Sequence, residues 1–178
     1  MTHAAPRSEI HAEFDRARAE FRQLVEAAGP SEFARRSNGT RWTNRQLLFH
    51  MLFGYLITRN LLLIVKAVSR LPTPVQRWFA ALLDAGTRPF HLINYWGSCA
   101  GARFVPLGRM PGWFDAITGS LDRHLDAETD AELARSMPFP TRWDPFFAAR
   151  MSLGEVYHYA TEHFDFHRRQ LTLNSQSG

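Results

Sequence analysis

Cysteine is almost absent from this chain of 178 residues, in which Cys99 is the only one. A single thiol excludes an internal disulfide framework, a CxxC redox pair and a zinc site built from several cysteines. The chain contains eight histidines instead. Any metal bound here must therefore be held by histidine and carboxylate ligands.

The chain also lacks basic runs, glycine-rich phosphate loops and RNP-like aromatic motifs. Its net charge is +4 and its pI is about 9.8, values that a nucleic-acid-binding protein can have. Its longest basic runs are nevertheless two pairs, Arg35-Arg36 and Arg168-Arg169. We therefore expect no nucleic-acid partner. Lys66 is the only lysine, and so strong a preference for Arg is typical of a GC-rich genome.

No secretory signal is recognisable in residues 1–7, which lack an apolar stretch. One long apolar run, residues 47–68, carries Arg59 and Asn60 side by side in its middle. A charge at the membrane centre costs about 2.5–3.5 kcal/mol on insertion scales, so we interpret this run as a buried helix. We expect a cytoplasmic protein with no membrane partner. The all-round apolar character of this helix is compatible with a homodimer.

Two long helices are predicted in the first half of the chain. The first covers residues 8–28, where apolar residues recur at steps of three and four, with Ser8 as its N-cap. The second begins at Thr43, which stands three residues before Gln46 at capping-box spacing, and continues to about residue 69. Pro72 and Pro74 end it, and a short helix over residues 75–85 follows.

Two more long helices are predicted in the second half. One covers residues 113–125, and the other opens with the capping-box pair Ser152 and Glu155 and continues to about residue 173. A short piece is expected over residues 130–136, followed by an extended connection over residues 138–145. Four long helices without a convincing alternating strand predict an all-α four-helix bundle.

An extended insert over residues 71–112 separates the second and third long helices. From residue 87 to residue 112, prolines, glycines and large aromatics recur without a period, which predicts a packed, functional loop. We expect a single domain over residues 1–178 with a structured core at residues 8–173. The ends, residues 1–7 and 174–178, are expected to be loose.

The most informative motif is a pair of histidines in the last helix. His163 and His167 are four residues apart, so both rings lie on one helix face, where they can share a metal ion. The alternative is an ordinary helix face. The pair is not a zincin motif, because Phe164 stands where zincins have a glutamate. His50, inside the second helix, is the best candidate for a third ligand.

These residues resemble the DinB/YfiT-like superfamily. The similarity lies in Trp42-Thr43 followed by Leu47-Leu48-Phe49-His50, and in His163-xxx-His167 followed by Arg168-Arg169-Gln170. It extends from about residue 10 to residue 173. The resemblance implies a four-helix bundle of up-down-down-up order with one divalent metal ion held by His50, His163 and His167. Gly54, one turn after His50, leaves space and supplies no ligand, and Gln170 is expected to hold either the ring of His167 or a neighbouring backbone group.

Two reaction classes and one non-catalytic role follow from such a site. The metal, which can be Zn, Ni, Fe or Mn, can ionise the thiol of a small cofactor of the mycothiol type for transfer to, or isomerisation of, a small electrophilic substrate. Thiol-dependent chemistry of this kind is known in the family. Metal-bound hydroxide can instead hydrolyse a small ester or amide. The third interpretation is a metal-stabilised binding protein without catalytic activity.

The sequence favours thiol chemistry over hydrolysis, because no Asp or Glu is recognisable beside the three histidines to act as a general base. Tyr159 shares the face of His163 and is the candidate catalytic side chain. An anionic thiol cofactor also needs positive charge at the pocket mouth. The candidate cofactor-binding residues, interpreted as loop residues, are Arg88, Arg103 and Arg142.

Overall fold

The computed structural model describes residues 6–173. Of the ends predicted to be loose, residues 1–5 and 174–178 lie outside the described residues, whereas Arg7 is already in the first helix. The elements follow in the order α1 (Arg7–Ala27), α2 (Pro30–Ala34), α3 (Asn44–Val68), α4 (Thr73–Ala85), α5 (Thr87–Phe104), a 3₁₀ turn (Leu107–Arg109), α6 (Met110–Ala127), α7 (Asp130–Leu133), β1 (Ser136–Pro138), β2 (Arg150–Ser152) and α8 (Leu153–Arg168).

Helices α1, α3, α6 and α8 form a bundle in which α1 and α3 each pack against α6 and α8. Tyr55 of α3 lies at its centre and is fully buried. Its ring contacts Phe14 of α1, Phe114 of α6 and Phe164 of α8, with ring centroids 5.9, 4.7 and 6.3 Å away. The predicted all-α bundle is confirmed, while the order of helix directions stays a prediction.

The first helix has the predicted buried stripe, Ile10, Phe14, Ala17 and Phe21. Its predicted start is wrong by one residue, because Ser8 lies inside α1 and Pro6 stands at the N-cap position without a side-chain hydrogen bond. The guanidinium of Arg7 donates to the backbone carbonyls of Asp126 and Glu128, so the start of α1 is fastened to the end of α6.

Both predicted capping boxes of the inner helices are confirmed. The hydroxyl of Thr43 accepts from the backbone N–H of Gln46 at the start of α3, and that of Ser152 accepts from the N–H of Glu155 at the start of α8. In each pair the second side chain accepts from the backbone N–H of the first. These contacts satisfy N–H groups that have no partner within the helix, and so they fix where each helix begins.

The loop predicted over residues 87–112 is wrong in its first two thirds, which form helix α5. Pro89 is in the first helical turn, where its missing N–H costs nothing. Gly97 and Gly101 face the rings of Phe53 and Phe49 on α3, so their small size serves helix packing. No period was detectable because the outer face of α5 is also apolar, as shown by the exposed side chain of Trp96.

Several other boundaries differ from the predicted ones. Helix α6 begins at Met110 instead of residue 113, since Pro111 and Gly112 fit in its first turn. Helix α7 is shorter than the predicted piece, because the chain enters strand β1 at Ser136. Strands were not expected, yet β1 and β2 pair antiparallel with Met137 opposite Met151. Both methionines are buried, and the hairpin is too short to show alternation.

The last helix ends at Arg168, five residues before its predicted end. The chain leaves the helix there to bind the start of α3. The N–H of Asn38 donates to the carbonyl of Gln170 at 2.7 Å, and the N–H of Thr172 donates to the side-chain oxygen of buried Asn44 at 3.0 Å. These bonds fasten the end of α8 beside the turn that leads into α3.

Helix α3 is the one helix among residues 6–173 that is long and apolar enough to cross a membrane. Most of its apolar window, 61%, is buried inside the bundle, as expected of a core helix. Helix α5 covers part of it from within the same chain. The insert therefore covers part of the apolar surface that was compatible with a homodimer, and the homodimer stays a prediction.

The packing of α5 on α3 predicts opposite effects of alanine at its two glycines. A Cβ at Gly101 would overlap the ring of Phe49, whereas one at Gly97 would lie 3.5 Å from Phe53, an ordinary contact. Gly101→Ala should lower the free energy of unfolding by about 1–3 kcal/mol, because the core is overpacked. Gly97→Ala should leave it unchanged or raise it by up to about 1 kcal/mol through helix propensity. Urea unfolding of both variants measures this, and equal effects would contradict the packing.

Candidate metal centre

Three histidines converge where α3 and α8 pack together. His50 is in the second turn of α3, and His163 and His167 are on successive turns of α8. They are 2%, 4% and 9% exposed, and their ring centroids are 4.5–5.0 Å apart. One nitrogen of each ring lies within 4.8 Å of the others, which is compatible with one metal ion. The structure therefore brings together the three histidines that the sequence singled out, hereafter the triad.

Two of the three rings are oriented by partners outside the triad. Ser98 of α5 donates its hydroxyl to the carbonyl of Asn94, so its oxygen accepts from Nδ1 of His50 at 3.2 Å. Nδ1 of His167 donates to Oε1 of Gln170 at 2.7 Å, as expected for Gln170. A neutral imidazole has one N–H, and in both rings it is Nδ1 that donates to a partner outside the triad. Their Nε2 lone pairs therefore face each other at 3.1 Å.

Burial keeps all three rings neutral. It lowers the pKa of His163 to about 4 and that of His167 to about 3, and it holds the pKa of His50 well below the ordinary value. The neighbouring histidines lower the pKa values of His50 and His167 further, because two charged rings would repel each other. Neutral imidazole is the form that binds metal ions.

The ring of His163 fills the space that Gly54 leaves on α3. A Cβ at Gly54 would lie 2.7 Å from Nδ1 of His163, so any other residue there would displace the ring. Nδ1 is buried and has no hydrogen-bond partner among residues 6–173. A buried nitrogen without a partner is costly, and it marks His163 as the least satisfied ring of the triad.

A carboxylate lies beside the triad, contrary to the expectation from the sequence. Oδ2 of Asp144 is 3.9 Å from Nε2 of His163 and accepts from the hydroxyl of Tyr159 at 3.0 Å. Its other oxygen accepts from the N–H of Phe146 at 3.0 Å. Burial raises the pKa of Asp144 and raises that of Tyr159 well above 10. Asp144 is in the predicted extended connection, where no periodic pattern indicates which way a side chain points.

The connection that carries Asp144 is held by the insert. The indole N–H of Trp143 donates to the carbonyl of Leu83 in α4 at 2.8 Å. Its ring stacks on Phe90 of α5 with centroids 4.0 Å apart. The insert therefore positions both Ser98 and Asp144, which flank the triad on different sides.

A stack of rings covers the triad. Trp42 lies over His50 with ring centroids 4.3 Å apart, and Tyr95 of α5 stacks on Trp42 at 5.9 Å. The guanidinium of Arg41 lies 4.8 Å from the centroid of Tyr95, in the geometry of a cation–π contact. This stack explains why a tryptophan stands directly before α3.

An open groove of about 860 Å³ runs beside the start of α3. Its walls include Thr43, Gln46, Trp96, Cys99 and Arg103. Thr43 and Gln46 share a face of α3 with His50, at intervals of seven and four residues. The only cysteine of the chain therefore lies in the groove wall and not in the triad.

The three predicted cofactor-binding arginines do not all lie in loops. Arg88 and Arg103 are exposed on helix α5, and only Arg142 lies in a connection, where it is also exposed. Of the three, Arg103 lines the groove, together with Arg45.

Comparison with known proteins gives one finding. The family model described as the DinB superfamily matches residues 13–171, which include most of α1, the whole of α3, α6 and α8, and the triad. No curated protein and no solved structure shows a significant match.

The lowered pKa values predict a pH-dependent stability of the metal-free protein. Unfolded histidines titrate near 6.5, so below that pH the unfolded chain binds protons that the folded triad does not. The contribution of the neutral triad to the free energy of unfolding should be fully present above about pH 6.5. It should fall as the pH drops toward 4, by about 1–2 kcal/mol per histidine at pH 5. Urea midpoints of the chain and of His163→Gln/His167→Gln at pH 7 and pH 5 measure this.

The comparison with the variant is needed because His158 works in the opposite direction. Glu13 raises the pKa of His158, so its contribution is complete below about pH 6.5 and is lost as the pH rises. An equal pH dependence in the chain and the double variant would contradict the titration assigned to the triad.

Proposed function

This chain belongs to the DinB superfamily, and we propose that it is a metal-dependent enzyme in which His50, His163 and His167 bind one divalent metal ion. The observation that carries the proposal is the 3.1 Å approach of two Nε2 atoms in rings whose Nδ1 atoms are bonded outside the triad. With the single N–H of each ring on Nδ1, both Nε2 atoms carry lone pairs. Two lone pairs at this distance repel each other, and a cation between them converts the repulsion into attraction. The ligand set suits Zn, Ni, Fe or Mn.

We further propose that the enzyme uses a small thiol of the mycothiol type with a small electrophilic substrate. A divalent ion in the triad would supply Lewis acidity, which favours the ionised form of a thiol. Arg45 and Arg103 in the groove wall give positive charge that attracts an anionic cofactor. Cys99, the only thiol of the chain, lies in the groove wall and not in the triad. The reacting thiol is therefore expected to arrive with the cofactor.

Hydrolysis of a small ester or amide is the second candidate, and Asp144 is the observation that favours it. A carboxylate oxygen 3.9 Å from a triad nitrogen can accept a proton from an attacking water molecule. The hydroxyl of Tyr159, the candidate catalytic side chain, donates to the same oxygen and orients it. In this interpretation Tyr159 is a positioning residue and Asp144 is the general base.

Metal analysis tests the triad. Protein purified without a histidine tag should contain about one divalent ion per chain, and His163→Ala/His167→Ala should lose it because two of three ligands are gone. His158→Ala is a matched control, since His158 is on the same helix but pairs with Glu13 of α1. Equal metal content in the chain and the double variant would contradict the metal site and leave a non-catalytic scaffold as the interpretation.

Substitution of Asp144 distinguishes the two reactions. If a thiol is the nucleophile, adduct formation between a small thiol and an electrophile should survive in Asp144→Asn, because no general base is required. If water is the nucleophile, ester hydrolysis without thiol should fall by about 10²-fold or more. Mass spectrometry of adducts and an ester assay measure the two activities. Thiol-independent hydrolysis abolished by His50→Ala would favour the second candidate over the first.

A further inference from the structure

Helices α4 and α5 turn large apolar side chains toward solvent. On α4, Val75, Trp78 and Leu82 are exposed at intervals of three and four residues, and so lie on one face. On α5, the exposed residues are Leu92, Ile93, Trp96 and Phe104. Trp78 is 65% exposed and Trp96 is 64% exposed. Clusters of exposed large apolar side chains mark sites of interaction with proteins or membranes. We call these residues the apolar face.

The segment that contains this face is strongly basic. Residues 33–114 include eleven of the 21 Arg and Lys residues of the chain but only one of its 17 acidic residues, Asp84. The remaining acidic residues lie before residue 33 or after residue 114. Residues 33–114 are therefore strongly basic and the rest of the chain is acidic, a division that the net charge of +4 does not show.

The arginines near the apolar face also lack the ion pairs that arginines form elsewhere. On α1, Arg16 pairs with Asp165 at 2.9 Å and Arg22 pairs with Asp115 at 2.6 Å. By contrast, Arg77, Arg88 and Arg103 are exposed on α4 and α5 and have no carboxylate within 4.0 Å in the described part of the chain. Their positive charge is available to an anionic partner.

We propose that α4 and α5 dock on the surface of an anionic lipid membrane. Amphipathic helices that lie in a membrane interface combine Trp, Phe and Leu on one side with arginine at the level of the headgroups. Tryptophan favours this boundary, and each nearby arginine adds attraction to anionic headgroups. From the sequence, only residues 47–68 were tested for membrane contact, and residues 87–112 were interpreted as a packed loop, which has no outward helix face.

Charge favours a lipid surface over a second copy of the chain. A two-fold symmetric dimer through the apolar face would bring the basic surface of one copy against the basic surface of the other. Such like-charge contacts are unfavourable, whereas lipid phosphates neutralise them. Trp96, Arg103 and Phe104 also line the groove beside the start of α3, so the groove borders the proposed docking surface.

Vesicle sedimentation tests the proposal without reference to metal content or turnover. The full chain should sediment with vesicles of phosphatidylcholine and phosphatidylglycerol and not with phosphatidylcholine alone. Binding should weaken as salt rises from about 0.1 M to about 1 M, because the Debye length falls from about 10 Å to about 3 Å. Vesicle binding that is absent, or independent of anionic lipid and salt, would overturn the proposal.

Two variants and a matched control assign the surface. Trp78→Gln/Trp96→Gln should lose about tenfold or more in vesicle affinity, and Arg77→Ser/Arg88→Ser should lose about fivefold for each arginine. Trp113→Gln should bind like the unmodified chain. Trp113 is a matched control because it is also an exposed tryptophan (49%) but lies on α6, near Asp115, the carboxylate that pairs with Arg22.

Circular dichroism verifies that each variant is folded. If Trp78→Gln/Trp96→Gln does not fold, Arg77→Ser/Arg88→Ser still tests whether this surface binds vesicles. Equal binding of all variants would overturn the proposal. Analytical ultracentrifugation provides the remaining outcome: a dimer that dissociates in Trp78→Gln/Trp96→Gln and does not bind vesicles would show that a second copy covers the face instead.

Discussion

The close approach of two helices to α3 at glycine residues is the constraint on which the rest of the structure depends. Helix α8 approaches at Gly54, where the missing side chain leaves room for the ring of His163. Helix α5 approaches at Gly101, which lies directly against Phe49. Both contacts are within one turn or so of His50, so the same close packing that closes the core also determines which side chains can reach its imidazole.

Much of the fold is predictable because its signals are local. The buried stripe of α1 and the capping boxes of α3 and α8 involve residues three or four positions apart, and the structure confirms them. Helix α5 was missed because its glycines serve contacts with α3 that are distant in sequence, and because an outward apolar face removes the period. The β-hairpin was missed because three residues per strand carry too little pattern.

The candidate site, like the fold, was predictable from the sequence only where its signals are local. The spacing of His163 and His167 indicates a shared face without further information. His50 was a candidate because of its place inside a predicted core helix, and the family resemblance strengthened that choice, since one histidine in an apolar run has no local signature. Asp144 was not predictable. Its position depends on Trp143 reaching Leu83 and on the N–H of Phe146, contacts between a connection without regular structure and an insert that was itself interpreted as a loop.

The two facing nitrogens of the triad belong to residues 117 positions apart. During synthesis at about 5–20 residues per second, His50 leaves the ribosome many seconds before His167. The nascent chain can form α1, α3 and α5 in that interval, but it holds only one of the three rings. Under the proposed metal site, an ion would be captured by the complete triad only late in folding, and it would stabilise only chains whose last helix has docked.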